Sequence, residues 1–168
     1  GVYVDIDYIC VAPLTPFEHL EFYAGASNVG CVEVNNGFLA ARPQSPVVKL
    51  AMDDIHAWFE ANGRPLLLVS SFMGGGASAA CLLNDQDICR LTGPGLWTRT
   101  LGNLFAQQQE PLRESILIFP YQTFHPMPNT DRDVDQTFEE IVERYAVRNT
   151  TKAIHLWHCS WQNGGNNQ

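Results

Sequence analysis

Basic residues are scarce in this sequence. Lysine and arginine together number 10, against 18 aspartates and glutamates, which gives a formal net charge of −8. Nonspecific nucleic-acid binding and docking on anionic lipid both need a basic surface. The composition therefore argues against nucleic acid as a partner, and it is compatible with a site that collects carboxylates around a metal.

Long apolar runs are also absent. No run approaches the roughly 18 residues that a membrane-spanning helix requires. The sequence opens on Gly1 rather than methionine, and residues 1–4 resemble the middle of a strand rather than a signal peptide. We therefore expect the chain to be part of a longer protein, with any membrane anchor in a segment outside it.

Cysteine is infrequent, and none of the five cysteines forms a CxxC pair. A structural zinc site is therefore not expected. Cys81 and Cys89 are close enough in sequence for a local disulfide, and buried free thiols are the alternative. Asn149–Thr151 is an N-glycosylation sequon, which is usable only in a secretory lumen.

Strand-like and helix-like segments alternate along the chain, without repeats, and this predicts one mixed α/β layer structure. In the first half the patterns predict a strand over 2–10, a short helix over 17–24, two strand pieces in 31–41 around the turn signal Asn35-Asn36-Gly37, and a helix from Ser45 to Gly63. In the second half they predict a short strand or apolar loop over 66–69, a flexible glycine-rich connection over 72–78 and a helix opened by Thr92-Gly93-Pro94. A strand over 116–119 and an acidic helix over 133–145 follow, and Phe138, Ile141 and Val142 are expected on the inward face of that helix. A closing strand over 153–157 and a flexible tail over 164–168 complete the prediction.

The sharpest chemical feature is the segment Tyr3–Asp7, in which one isoleucine separates two aspartates. Side chains two apart on a strand point to the same face, so Asp5 and Asp7 are expected to project together. Two adjacent carboxylates repel each other unless a positive charge lies between them. A hard divalent cation, Mn²⁺ or Mg²⁺, meets that need with oxygen ligands. The alternative is a strand-end turn with solvated aspartates.

The surroundings of this pair resemble a known signature. Residues 1–14 read Gly-Val-Tyr-Val-Asp-Ile-Asp-Tyr-Ile-Cys-Val-Ala-Pro-Leu. This run resembles the signature of the DXD-containing glycosyltransferase sugar-binding family, in which a glycine pair, an aromatic residue and D-x-D precede an apolar stretch ending in Pro-Leu. The family includes yeast-type Golgi α-1,6-mannosyltransferases and vertebrate α-1,4-galactosyltransferases.

Later segments resemble further blocks of the same family, in the family's order. They are Val34–Ala41, the helix opened by Ser45-Pro46, Thr92-Gly93-Pro94, Ile118–Pro120 with Phe124–Pro126, and the closing run His155–Trp161. The resemblance implies a partial GT-A-like fold over residues 1–163, a mixed sheet with flanking helices. Two departures stand out. The family's N-terminal nucleotide-binding half precedes the D-x-D strand and is missing here, and residues 64–91 are longer and richer in glycine than expected.

The resemblance also implies a shared donor site. Asp5 and Asp7 are the implied catalytic pair, and with His155 as third ligand they are the implied holders of Mn²⁺ or Mg²⁺. The other implied donor contacts are Asn35, Asn36, Gly93, Ser160 and Trp161. The alternative role for His155 is core packing without metal binding, and His158 is then the next candidate for the third ligand. His19, His56 and His125 are expected to be structural or exposed.

The activity implied is transfer of a hexose from a nucleotide-diphosphate sugar, GDP-mannose or a UDP-hexose, to a glycan or glycolipid acceptor, with retention of configuration. Negative charge builds on the departing diphosphate, so Asp5 and Asp7 would act through the metal, by positioning and electrostatics. The implied location is the Golgi or secretory lumen, within a longer membrane-anchored protein.

Two other functions are considered. One is a non-catalytic carbohydrate- or partner-binding module derived from such an enzyme. The other is a metal-dependent hydrolase, which is disfavoured because no H-x-x-E-H or comparable ligand cluster accompanies the aspartates. Metal-dependent hydrolysis of the donor by a complete parent protein would separate the enzyme from the binding module.

Three geometric expectations follow. Asp5 and Asp7 should lie within a few ångströms of each other at the C-terminal end of a strand. His155 should lie within about 4–5 Å of Asp7, because ligand bonds to such ions are about 2.0–2.2 Å long. If half of the fold is missing, an apolar sheet edge or face should be exposed.

Overall fold

The structure is a computed structural model that describes residues 1–28, 33–62, 89–107, 112–132 and 135–158. These ranges form a mixed α/β structure with a mixed sheet and flanking helices, which confirms the predicted fold class at this level. The predictions for residues 66–69, 72–78 and 164–168 lie outside the described ranges. Among the described helices, none is both long and apolar enough to cross a membrane.

The described part of the chain contains six strands and three α-helices with defined bounds, besides helical residues at 89–91 and four short 3₁₀ turns. The strands are β1 (Val2–Val4), β2 (Tyr8–Cys10), β3 (Phe22–Ala26), β4 (Val34–Ala41), β5 (Ile116–Phe119) and β6 (Ala153–His155). The helices are α1 (Pro46–Asn62), α2 (Pro94–Ala106) and α3 (Phe138–Tyr145).

The strands form two sheets. The larger has the order β1-β4-β3-β5, in which β3 and β5 run parallel and the other neighbours run antiparallel. The smaller is the antiparallel pair β2-β6, in which Tyr8 lies opposite His155. The chain therefore passes from the larger sheet to the smaller one between β1 and β2, across residues 5–7.

Helices α1 and α2 begin where the sequence signals them. Lys49 N–H donates to Ser45 O at 3.0 Å, so α1 starts just after Ser45. Gly93 and Pro94 open α2. A capping box opens α3: Glu140 N–H donates to Thr137 Oγ1 at 3.3 Å, and Thr137 N–H donates to Glu140 Oε2 at 2.8 Å.

The larger sheet is covered on both faces. On one face Phe22 packs with Leu101 and Leu104 of α2. On the other, Phe38 stacks on Phe124 with ring centroids 4.0 Å apart. Full burial of one such side chain contributes about 1.5–3 kcal/mol. The smaller sheet packs on a third cluster that includes Met127 and residues of α3. The core thus continues across the junction of the two sheets.

Two strand predictions need correction. Residues 2–10 form two strands, β1 and β2, in different sheets, because the chain turns at residues 5–7. The turn predicted at Asn35–Gly37 lies instead inside the continuous strand β4, where the register against β3 shifts between Ala24 and Gly25. Asn-Asn-Gly thus marks a bulge, which needs the same local flexibility as a turn.

Predicted helices differ in two places. The helix expected over 17–24 is instead a short 3₁₀ turn, Thr15–Phe17, followed by β3. A central strand buried on both faces is a continuous apolar run, which periodicity alone cannot separate from a helix. The helix predicted over 133–145 begins only at Phe138, as α3. Phe138 is 56% exposed rather than inward, whereas Ile141 and Val142 pack inward as predicted.

Strand β1 is an exposed apolar edge of the larger sheet, whereas both faces of that sheet are covered. This strand is the first in the sheet order and pairs with β4. Its three residues, Val2, Tyr3 and Val4, are each about half exposed, and they include the aromatic residue that precedes the two aspartates. Both aspartates that follow this edge are partly buried, and the side chain of Asp7 is only 12% exposed.

Candidate metal centre

The two aspartates lie in the turn that joins the two sheets. Asp5 directly follows β1, and its N–H donates to Gly37 O at 2.9 Å, which extends the β1–β4 ladder by one bond. Ile6 at the turn is fully exposed. Asp7 O then accepts from Leu156 N–H at 2.9 Å, which begins the β2–β6 ladder. The aspartates therefore lie close because two sheets meet at this turn, and not because they share a strand face.

The turn brings both carboxylates to one histidine. Ligand atoms of Asp5, Asp7 and His155 all lie within 4.8 Å of one another. His155 Nε2 lies 3.3 Å from Asp7 Oδ1, which confirms the predicted proximity. Bonds of about 2.0–2.2 Å keep the ligands of one ion within about 4.4 Å. A small side-chain adjustment would therefore let the three share a cation.

Each carboxylate has one anchored oxygen. Tyr3 O–H donates to Asp5 Oδ1 at 2.6 Å, and this hydrogen bond is the main reason that the pKa of Tyr3 is raised. His158 N–H donates to Asp7 Oδ2 at 2.8 Å. The other oxygen of Asp7, Oδ1, faces His155. Among the ion pairs of the described residues, none brings a lysine or arginine to either aspartate.

His155 is held between two aromatic rings. Its imidazole is stacked on Tyr8, with centroids 4.4 Å apart, and it contacts Trp157 at 4.2 Å between centroids. Its side chain is 9% exposed, and burial lowers its pKa, although Asp7 and Asp5 oppose that shift. The neutral imidazole is the form that binds a metal. Its buried Nδ1 has no hydrogen-bond partner among the described residues.

Tyr8 connects this site to a second, deeper histidine. Tyr8 Oη lies 2.7 Å from His125 Nε2, and His125 Nδ1 lies 3.1 Å from Ala26 O. His125 is fully buried, and burial lowers its pKa to about 3, so its imidazole is neutral. Burial and the charges of Asp5 and Asp7 raise the pKa of Tyr8.

Two glycines leave the room that these side chains occupy. A Cβ on Gly25 would lie 2.7 Å from two ring atoms of His125. A Cβ on Gly37 would lie 2.9 Å from Asp5 Oδ2 and from Tyr8 Oη. Real Cβ atoms do not approach so closely, so both positions need glycine because of close approach and not because of backbone conformation.

Other residues expected at the donor site lie elsewhere or have local partners. Asn35 is buried beside the site, and its Oδ1 accepts from Gly37 N–H at 2.8 Å. Asn36 lines an adjoining pocket of about 580 Å³, together with Tyr3 and Trp97. Gly93 starts α2, where a Cβ would meet the backbone of the preceding turn at 2.9 Å, so it is a packing position outside the cluster.

The remaining predictions concern the end of the chain and the other histidines. Ser160 and Trp161 lie outside the described residues. His158 contributes its backbone N–H to Asp7, and its ring is not part of the three-residue cluster. His19 and His56 are exposed, as expected.

Sequence reasoning does not identify Tyr8 or His125 as part of the site. The sequence signal that could have identified Tyr8 is its position directly after the second aspartate, Asp7. His125 carries no local signal, since the residues that it contacts are far away in sequence. Gly37 resembles a turn residue, because Asn-Asn-Gly has the same composition in a turn and in a bulge.

Comparison with protein-family models, with curated proteins and with solved structures found no match for this chain. The chemical interpretation of the centre therefore depends on its residues, their distances and the pattern of the sequence around them.

Proposed function

We propose that this chain forms the metal-binding part of a glycosyltransferase that uses a nucleotide-diphosphate sugar. Asp5, Asp7 and His155 hold Mn²⁺ or Mg²⁺, and the ion binds the diphosphate of the donor. The observation that carries the proposal is the 3.3 Å approach of His155 Nε2 to Asp7 Oδ1 from opposite ends of the chain. The resemblance of residues 1–14 to the D-x-D signature supports it, and a partial GT-A-like fold is part of the same proposal.

The charges of the site suit this role. Two carboxylates and a neutral imidazole leave two negative charges, which a divalent cation neutralises. The described residues supply no lysine or arginine for the purpose. Three protein ligands leave coordination positions for phosphate oxygens, as in other catalytic metal sites.

The chemistry assigned to the protein is positioning and electrostatic stabilisation. Negative charge builds on the nucleotide diphosphate as the sugar departs, and a cation bound there lowers the barrier. Asp5 and Asp7 need not transfer protons. The hexose passes from GDP-mannose or a UDP-hexose to a glycan or glycolipid acceptor, with retention of configuration.

The first test is metal binding by the chain alone. Isothermal titration calorimetry and electron paramagnetic resonance (EPR) would measure Mn²⁺ affinity for the native chain and for Asp5→Asn, Asp7→Asn and His155→Ala. We expect each variant to bind Mn²⁺ at least tenfold more weakly. Asp53→Asn is the matched control, because Asp53 is an exposed aspartate on α1.

The second test is donor recognition. Binding and hydrolysis of GDP-mannose and UDP-glucose by a complete parent protein that contains this chain would be measured with Mn²⁺ and after its removal by EDTA. We expect binding only with the ion, and hydrolysis would separate an enzyme from a binding module. A native chain that binds neither Mn²⁺ nor Mg²⁺, or aspartate variants that bind as the native chain does, would contradict the proposal.

A further inference from the structure

We infer that Tyr8 is a further member of this centre, and that His125 orients its hydroxyl so that the phenol oxygen accepts a hydrogen bond from a water bound to the cation. The inference rests on the metal site proposed above. It adds to that site a positioning residue pair outside the three ligands.

The direction of the Tyr8 hydroxyl follows from its partners. The carbonyl oxygen of Ala26 can only accept, so His125 Nδ1, 3.1 Å away, carries the imidazole proton. His125 is fully buried and neutral, so its Nε2 has a lone pair. Tyr8 Oη lies 2.7 Å from that nitrogen and must donate its only proton to it.

The proton of Tyr8 therefore points inward, and its oxygen offers only lone pairs toward the aspartates. Tyr3 shows the alternative, because its hydroxyl donates to Asp5 Oδ1 at 2.6 Å. Without His125, the hydroxyl of Tyr8 would be free to donate to the second oxygen of Asp5. His125 thus keeps that oxygen available to a cation.

Acceptor oxygens of Asp5 and Tyr8 both lie beside Gly37. Asp5 Oδ2 and Tyr8 Oη both lie 2.9 Å from the point where Gly37 would carry a Cβ, and Asn35 Oδ1 lies 3.0 Å from it. Asp5 Oδ2 and Tyr8 Oη are therefore at most about 6 Å apart, whereas Asn35 Oδ1 already accepts from Gly37 N–H. Because Tyr8 donates to His125, its oxygen can accept a hydrogen bond from a group bound beside Asp5. A neutral phenol is a weak metal ligand, whereas a metal-bound water is a strong donor. The phenol oxygen of Tyr8 is therefore assigned as the acceptor of a hydrogen bond from the metal-bound water.

The test compares variants that keep the aromatic stack. Tyr8→Phe preserves the ring that stacks on His155 at 4.4 Å and removes only the oxygen. Tyr23→Phe is the matched control, since Tyr23 is buried in the core cluster that also contains Phe38 and Phe124. EPR would give the Mn²⁺ affinity of each chain, and thermal unfolding without metal would give its stability.

We expect Tyr8→Phe to weaken Mn²⁺ binding at least tenfold, as loss of other outer partners of metal ligands does. Tyr23→Phe should bind Mn²⁺ as the native chain does. A purely structural role for Tyr8 would lower the unfolding temperature and leave the affinity of the folded chain unchanged, so the two measurements separate the roles.

A double variant keeps the test decisive if Tyr8→Phe is unstable. Tyr8→Phe leaves Nε2 of His125 unpaired, and Tyr8→Phe/His125→Asn removes that buried nitrogen. We expect His125→Asn alone to weaken Mn²⁺ binding, because Tyr8 can then donate to Asp5, and we expect the double variant to bind about as weakly as either single variant.

The outcomes distinguish this inference from the proposed function. If Asp5→Asn loses Mn²⁺ binding but Tyr8→Phe and the double variant both bind within twofold of the native chain, Tyr8 has no role at the cation and the metal site stands. If the native chain binds no Mn²⁺ or Mg²⁺, both proposals fail together.

Discussion

The rings of Tyr8 and His155 are parallel to within 6°, with their centroids 4.4 Å apart. The two residues are Cα partners in the β2–β6 pair, and β2 directly follows Asp7. Pairing of the two strands therefore places the imidazole beside the carboxylate. A slip of one residue in this register would turn His155 to the opposite face and separate it from the two aspartates.

Divalent metal should stabilise the folded chain. A ligand that binds only the folded state adds about 2.7 kcal/mol when its concentration is 100 times its dissociation constant. We expect Mn²⁺ to raise the unfolding temperature in differential scanning fluorimetry, and EDTA to reverse the shift. Asp7→Asn should abolish the shift and Asp53→Asn should keep it; an equal shift in both variants would place the binding elsewhere.

Gly37→Ala should damage the centre more than the fold. The added Cβ would meet Asp5 Oδ2 and Tyr8 Oη at 2.9 Å, so both side chains must move. We expect Mn²⁺ affinity to fall at least tenfold. Gly102→Ala is the control: no atom lies within 4 Å of its Cβ, and alanine in a helix should add about 0.5–1 kcal/mol of stability. Unchanged Mn²⁺ binding by Gly37→Ala would contradict the close approach.

Part of this centre is predictable from sequence. Asp5 and Asp7 are adjacent in the chain, so a local motif identifies them, and the resemblance of the closing run to a known block indicates His155. The contact between Tyr8 and His125 joins residues 117 positions apart, and neither has a local pattern that names the other.

The fold, like the site, has local features that the sequence predicts and long-range contacts that it does not predict. The starts of α1, after Ser45, and of α2, at Gly93-Pro94, are local signals that the sequence predicts, whereas α3 begins at Phe138 rather than at the predicted residue 133. Strand β3 has the sequence pattern of a helix, because its burial comes from elements on both faces that are distant in sequence. Local chemistry thus predicts the starts of α1 and α2, whereas long-range packing decides the central strand.

Stability should fall as the pH drops below about 6.5, the ordinary pKa of histidine. The pKa of His125 is about 3 in the folded chain, so the unfolded state binds a proton that the folded state excludes. The contribution of neutral His125 is therefore complete above pH 6.5 and is lost toward pH 3, by up to about 1.4 kcal/mol per pH unit.

Urea unfolding between pH 7 and pH 5 would measure this slope. His125→Asn should flatten it, and the exposed His56 provides the control, since His56→Gln should leave it unchanged. Equal slopes for the native chain and for His125→Asn would show that other groups, among them His155, account for the pH dependence.

The last prediction concerns Trp157, which covers the other side of His155. Its Nε1–H donates to Met127 O at 2.7 Å, and its ring centroid lies 4.2 Å from that of the imidazole. Trp157→Phe removes the N–H but keeps an aromatic ring against His155. Met127 O retains a second donor, Asn28 Nδ2 at 2.8 Å, so no buried carbonyl is left unpaired.

The cost of Trp157→Phe should therefore lie near about 1–3 kcal/mol in urea unfolding, from one lost hydrogen bond and the cavity that the smaller ring leaves in the core. Mn²⁺ affinity should fall less than threefold, far less than in Tyr8→Phe, because packing on this side is mostly preserved and no oxygen near the cation is lost. An equal loss of affinity in the two variants would mean that aromatic packing alone orients His155. The phenol oxygen of Tyr8 would then have no separate role, although Asp5, Asp7 and His155 would keep theirs.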